Sequence, residues 1–91
     1  MTTINSDPIA LDRMPAVLDA TGRRHAQRVY DDVREGVMTR PIHVGRTSCW
    51  PRHEVRAIVL ARIAGQDDGQ IKKLVDQLHI RRASAIPGAA K

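Results

Sequence analysis

Arg40-Pro41-Ile42-His43-Val44-Gly45-Arg46-Thr47-Ser48-Cys49-Trp50-Pro51 is the stretch on which the reading of the fold turns. Ile42 and Val44 alternate with His43, the period-two pattern of a half-exposed strand. Gly45-Arg46-Thr47 supplies a turn, Ser48-Cys49-Trp50 returns as a second strand, and Pro41 and Pro51 fence the hairpin at both ends. A two-stranded hairpin alone is marginal in water, so this one must pack on helices.

The flanking sequence supplies them. Upstream, Ala26, Val29, Tyr30 and Val33 recur at i, i+3, i+4 and i+7, which predicts a helix from about Arg24 to Glu35, closed by Gly36. Before it, Pro15 suits the first turn of a short helix whose apolar contacts are Val17 and Leu18, and Thr21-Gly22 stops that helix. Two short helices joined by a glycine-containing turn, with a hairpin directly behind them, follow the order of a winged helix-turn-helix. Downstream, Val55, Ile58, Val59 and Ile63 mark a third helix from Pro51 or Arg52 to about Ala64, ended by Gly65. Asp67 or Asp68 reads as the N-cap of a fourth, running to about His79 with Ile71, Leu74, Val75 and Leu78 on one face. The expected fold is mainly α with a small β-hairpin wing, in one domain over residues 11–80 with the extra helix at about 67–79. Residues 1–10 are expected to be a flexible N-terminus and residues 81–91 a flexible basic tail.

With one Trp, one Tyr and no Phe in 91 residues, the core must be largely aliphatic. Val29, Tyr30, Val33, Trp50, Val55 and Ile58 are its expected members, Trp50 serving as a plug between hairpin and third helix. Cys49 is the single thiol, so the chain can form neither an internal disulfide nor a cysteine-based zinc site. It reads as a small buried apolar residue in a reducing compartment. His25, His43, His53 and His79 have no ligand-set spacing, and His53-Glu54 lacks the second histidine of a zinc-protease helix. Asp31-Asp32 reads as helix surface and Asp67-Asp68 as a cap. No catalytic residue, metal or cofactor is therefore expected. No stretch approaches the roughly 20 apolar residues of a membrane span, and the start of the chain lacks the basic and apolar regions of a signal peptide. A soluble, cytoplasmic, nucleoid-associated protein of bacterial or phage type is the expectation.

Charge is unevenly spread. Residues 1–20 hold one arginine against three aspartates, residues 21–61 eight arginines against four acids, and residues 62–91 six cations against three aspartates, within a net charge of +5. Basic segments of this kind attract polyanions through counterion release. The candidate contacts are Arg23, Arg24, His25, Gln27, Arg28 and Arg34 on the second helix, with Arg46, Thr47 and Ser48 at the hairpin tip. Arginine can bind guanine bidentately, glutamine can bind adenine, and an arginine at a wing tip senses a narrow minor groove. The stripe Ile71, Leu74, Val75 and Leu78 either covers the core or forms a surface for a second subunit or another partner.

Taken in order, these residues resemble the AlpA-type phage regulators and related excisionases. The opening Arg13-Met14-Pro15-Ala16-Val17-Leu18-Asp19-Ala20-Thr21-Gly22 is similar to that family's short first helix ending in Thr-Gly. Tyr30 and Glu35-Gly36 match its recognition helix, and Pro41-Ile42-His43-Val44-Gly45-Arg46 its wing. Trp50 and Glu54-Val55 match the close of the wing and the helix after it, so the resemblance covers about residues 11–64. Two positions depart from the family pattern: the turn before the recognition helix has one extra residue, and Asp32 stands where an apolar side chain is usual. The resemblance implies a non-catalytic partner of double-stranded DNA. One form is an excisionase, or recombination directionality factor, which binds repeated sites cooperatively, bends DNA and favours excision by an integrase. The other is a transcriptional regulator. A reading from another class is a protein-interaction module or antitoxin that works through the fourth helix.

Overall fold

A computed structural model describes residues 9–84, which form three strands and four helices. In chain order these are β1 (Leu11–Arg13), α1 (Met14–Thr21), α2 (Ala26–Glu35), β2 (Ile42–Val44), β3 (Thr47–Pro51), α3 (Arg52–Ile63) and α4 (Asp68–Arg82). The expected flexible segments lie largely outside the described residues, with Ile9–Ala10 and Arg81–Ser84 as the exceptions. Mainly helical with a small antiparallel sheet, the architecture is compatible with a winged helix.

The hairpin forms where the alternation places it. Val44 pairs with Thr47, so the turn is the two residues Gly45-Arg46, and Gly45 takes the left-handed conformation (φ 63°) that such a tight turn favours. Thr47 and Ser48 consequently belong to strand β3, not to the tip. β3 also has a second neighbour. Leu11, Asp12 and Arg13 pair antiparallel with Pro51, Trp50 and Cys49, making β3 the centre of a sheet ordered β1-β3-β2. Pro51 ends the strand, where its missing N–H costs little, and the Arg52 N–H restores the ladder by donating to Ala10 O at 2.9 Å. The Arg52 guanidinium adds a bond to Asp12 Oδ1 at 2.7 Å.

α1 and α2 meet across residues 22–25. The Gly22 N–H donates to Leu18 O at 2.9 Å and closes α1. α2 begins at Ala26, two residues later than its period suggests, which leaves Arg24 and His25 in the turn. It ends in Gly36 (φ 84°), and the Val37 N–H reaches back to Asp32 O at 2.9 Å. This is a left-handed cap that buries Val37 against the core.

Trp50 has no exposed surface, and its indole N–H donates to Thr39 O at 2.7 Å. Around it gather Val17, Val29, Val55 and Ile58, with Val33 packed against their edge. Tyr30, expected in the core, is instead at the surface and leans on Trp50 with ring centroids 6.0 Å apart. Ile63, on the expected stripe of α3, is also exposed. The α4 stripe is internal: Ile71, Val75 and Leu78 are buried and Leu74 packs beside them. As a partner surface these four are therefore unavailable, because they complete the only core cluster among the described residues.

Asp67 caps α4 as its sequence implies, accepting from the Gln70 N–H at 2.9 Å while Gln70 Oε1 accepts from the Asp67 N–H at 3.0 Å. The far end of α4 departs from expectation. Arg81 and Arg82 lie within the helix, not in a tail. The Arg82 guanidinium donates to both carboxylate oxygens of Glu54, at 2.8 and 2.6 Å, and to Arg40 O at 2.7 Å. One turn earlier, His79 Nε2 accepts from the Arg40 N–H at 3.1 Å. Burial, and then the charges of Arg40 and Arg82, hold the His79 pKa below 6.5 against the opposing pull of Glu54 and Asp76.

Candidate nucleic-acid interface

The contact between Tyr30 and Trp50 sets α2 beside the base of the hairpin, at the end of β3 away from the Gly45-Arg46 turn. Arg24, Arg28 and Arg46 are exposed and carry no partner among the described residues. His25 is exposed at the N-cap of α2, and its side chain makes no capping bond. The first N–H groups of this helix thus lack a side-chain acceptor, which leaves the positive end of its dipole open to an anion.

The remaining candidates are committed elsewhere. Arg23 lies in the turn before α2 and binds Asp32 through Nε and Nη2, at 3.0 and 2.9 Å. Asp32 is buried on the inner side of α2, not on its surface, and needs that cation. Arg23 is structural. Gln27 and Arg34 stay exposed, but both donate to Asp31 Oδ1, Gln27 from Nε2 at 3.0 Å and Arg34 from Nη2. Thr47 and Ser48 are half-buried in β3, leaving Arg46 as the side chain at the tip.

Asp31 itself was not among the expected contacts, although its i, i+4 spacing from Gln27 and i, i+3 spacing to Arg34 is legible in the sequence. Cys49 is buried, as a small apolar residue would be. Among the described residues, no three His, Cys, Asp or Glu side chains are grouped to hold a metal, and no helix is long and apolar enough to cross a membrane.

No family model, curated protein or solved structure matches this chain. The functional reading therefore rests on the residues themselves.

Proposed function

We propose that the protein binds double-stranded DNA as a winged helix-turn-helix, with α1, the turn and α2 as the helix-turn-helix and β2–β3 as the wing. α2 enters the major groove N-terminal end first, and Arg46 follows the adjacent minor groove. The observation that carries this reading is the exposure of Arg24, Arg28 and Arg46 without partners among the described residues, with Arg13, Arg40 and Arg81 as further exposed cations elsewhere on the surface. Arg23, Arg52 and Arg82 are spent on buried or half-buried carboxylates. Arg24 and Arg28 at the head of α2, and Arg46 on the hairpin, are left exposed and unpaired among the described residues. Unpaired arginines at a helix head beside a basic hairpin suit a phosphate backbone with a groove between its strands.

Of the roles open to such a protein, an excisionase is favoured. A basic surface supplies binding energy that offsets the cost of bending DNA, which is an architectural task. Cooperative self-association on repeated sites and contact with a site-specific integrase belong to this proposal, as does a cytoplasmic location. A regulator acting at promoters would use the same side chains. The interaction-module reading has lost the apolar face of α4 to the core.

Genomic fragments of the host, captured by the purified protein at about physiological salt and mapped, test the proposal. Tandem sites beside an integrase attachment core are the expected result, whereas enrichment confined to promoters would replace the excisionase with a regulator. Arg28→Ala and Arg46→Ala should each weaken binding several-fold and reduce the slope of log affinity against log salt by about one. Binding unchanged by both substitutions would refute this interface.

A further inference from the structure

We propose that Asp31 is the specificity-determining residue of α2: its carboxylate accepts the N4 proton of a cytosine in the major groove, and Arg34, held by the same carboxylate, donates to a guanine beside it. This rests on the DNA-binding reading above. Gln27, Asp31 and Arg34 follow one another at i, i+4 and i+7 along the outer face of α2. Gln27 and Arg34 both donate to Asp31 Oδ1, while Asp31 Oδ2 receives no hydrogen bond among the described residues.

A carboxylate on a surface that meets phosphates is repelled by them and lowers affinity for DNA of any sequence. What compensates is a hydrogen-bond donor on a base edge. A carboxylate can only accept, and the major groove offers it two donors, N4 of cytosine and N6 of adenine. Beside adenine N6 stands the N7 acceptor, which repels a carboxylate, whereas cytosine presents no acceptor of its own there. Cytosine is therefore the preferred base. Because Gln27 and Arg34 already brace the carboxylate, little side-chain freedom is lost when it docks. Arg34 commits Nη2 to Asp31 and retains other N–H groups for guanine O6 and N7.

Binding sites selected from a randomised duplex pool by the wild-type chain, Asp31→Ala and Asp31→Asn test this. The wild type should select a cytosine at one position, and Asp31→Ala should lose about tenfold preference there while binding random duplex more tightly. Asp31→Asn keeps an oxygen for Gln27 and Arg34 and gains a donor, so its preference should move from cytosine toward adenine, which shows a donor and an acceptor side by side. A purely helix-stabilising aspartate would produce no such switch. If both variants retain the cytosine and merely bind all DNA more tightly, Asp31 only repels phosphates and the inference is overturned while the DNA-binding reading stands. If the wild type retains duplex but selects no sequence, the inference is overturned while DNA binding stands; if it retains no duplex at all, the DNA-binding reading falls with it.

Discussion

Glu54 has no exposed surface, and both of its carboxylate oxygens accept from Arg82. Removing one member of such a pair leaves an uncompensated charge in a place water cannot reach, typically at a cost of about 3–5 kcal/mol. Arg82 keeps some contact with solvent, so Arg82→Ala should fall near the lower end. In a chain of this length, about 1 kcal/mol corresponds to roughly 4–8 °C in Tm, and a drop of at least about 12 °C is expected. Adding Glu54→Gln to that variant should recover part of the loss, because a neutral amide is cheaper to bury alone. An Arg82→Ala melting curve within a few degrees of wild type would show that the pair contributes no net stability. At this scale the sequence was least legible. Periodicity says which side chains turn inward, but not which arginine finds which acid. Arg23 and Asp32, or Glu54 and Arg82, meet only after the chain has turned back on itself. Hence Arg23 reads from sequence as a DNA contact and Arg82 as tail, while each is the counter-ion of a buried acid.

α2, α3 and α4 were readable in order because each carries its own apolar period, and α1 because Pro15 and Thr21-Gly22 mark its two ends. Errors of boundary and face arose where a neighbouring element overrode that local pattern. α4 continues three residues beyond its predicted end because Arg82 is anchored on Glu54, and its stripe is internal because the core of so small a chain needs it. The strand β1 went unseen, since Leu11-Asp12-Arg13 carries a single apolar residue and no hairpin turn joins it to its partner. α4 also gives the fold a pH dependence. Neutral His79 accepts the Arg40 N–H, and its pKa is lowered from 6.5 by burial and by Arg40 and Arg82. A histidine with a lowered folded pKa contributes stability that is complete above the unfolded value of 6.5 and is lost as pH falls through the folded value. Between pH 7.5 and 5 the urea midpoint of the wild type should fall further than that of His79→Gln, whose amide oxygen still accepts from Arg40 but does not titrate. Parallel profiles for the two chains would remove His79 as the cause.

For the molecule as a whole, composition gave the sign of the surface and the small aliphatic core, and the order of signals gave the arrangement of helices about a hairpin. The candidate interface was half legible. Arg24, Arg28 and Arg46 stand exposed as their positions suggest, whereas Asp31 was passed over because an acid on a polar helix face is easily read as solvated surface. The sheet that supports the hairpin has a further consequence, one of timing. β2 and β3 are separated by a two-residue turn and can pair locally within about 1–10 μs. β1 must wait for Cys49, Trp50 and Pro51, nearly forty residues further along. At about 5–20 residues per second of synthesis, that wait is roughly 2–8 s. β1 is thus the late-arriving strand, and Asp12 has no Arg52 to bind until it docks. In the finished protein the same asymmetry runs in reverse. Deuterium should enter the β1 amides before those of β2, and equal protection of the two strands would mean that the sheet opens as one piece. Until β3 leaves the ribosome, Leu11 and its neighbours are an unpaired strand edge, so the nascent chain is most open to mispairing while its hairpin is still being made.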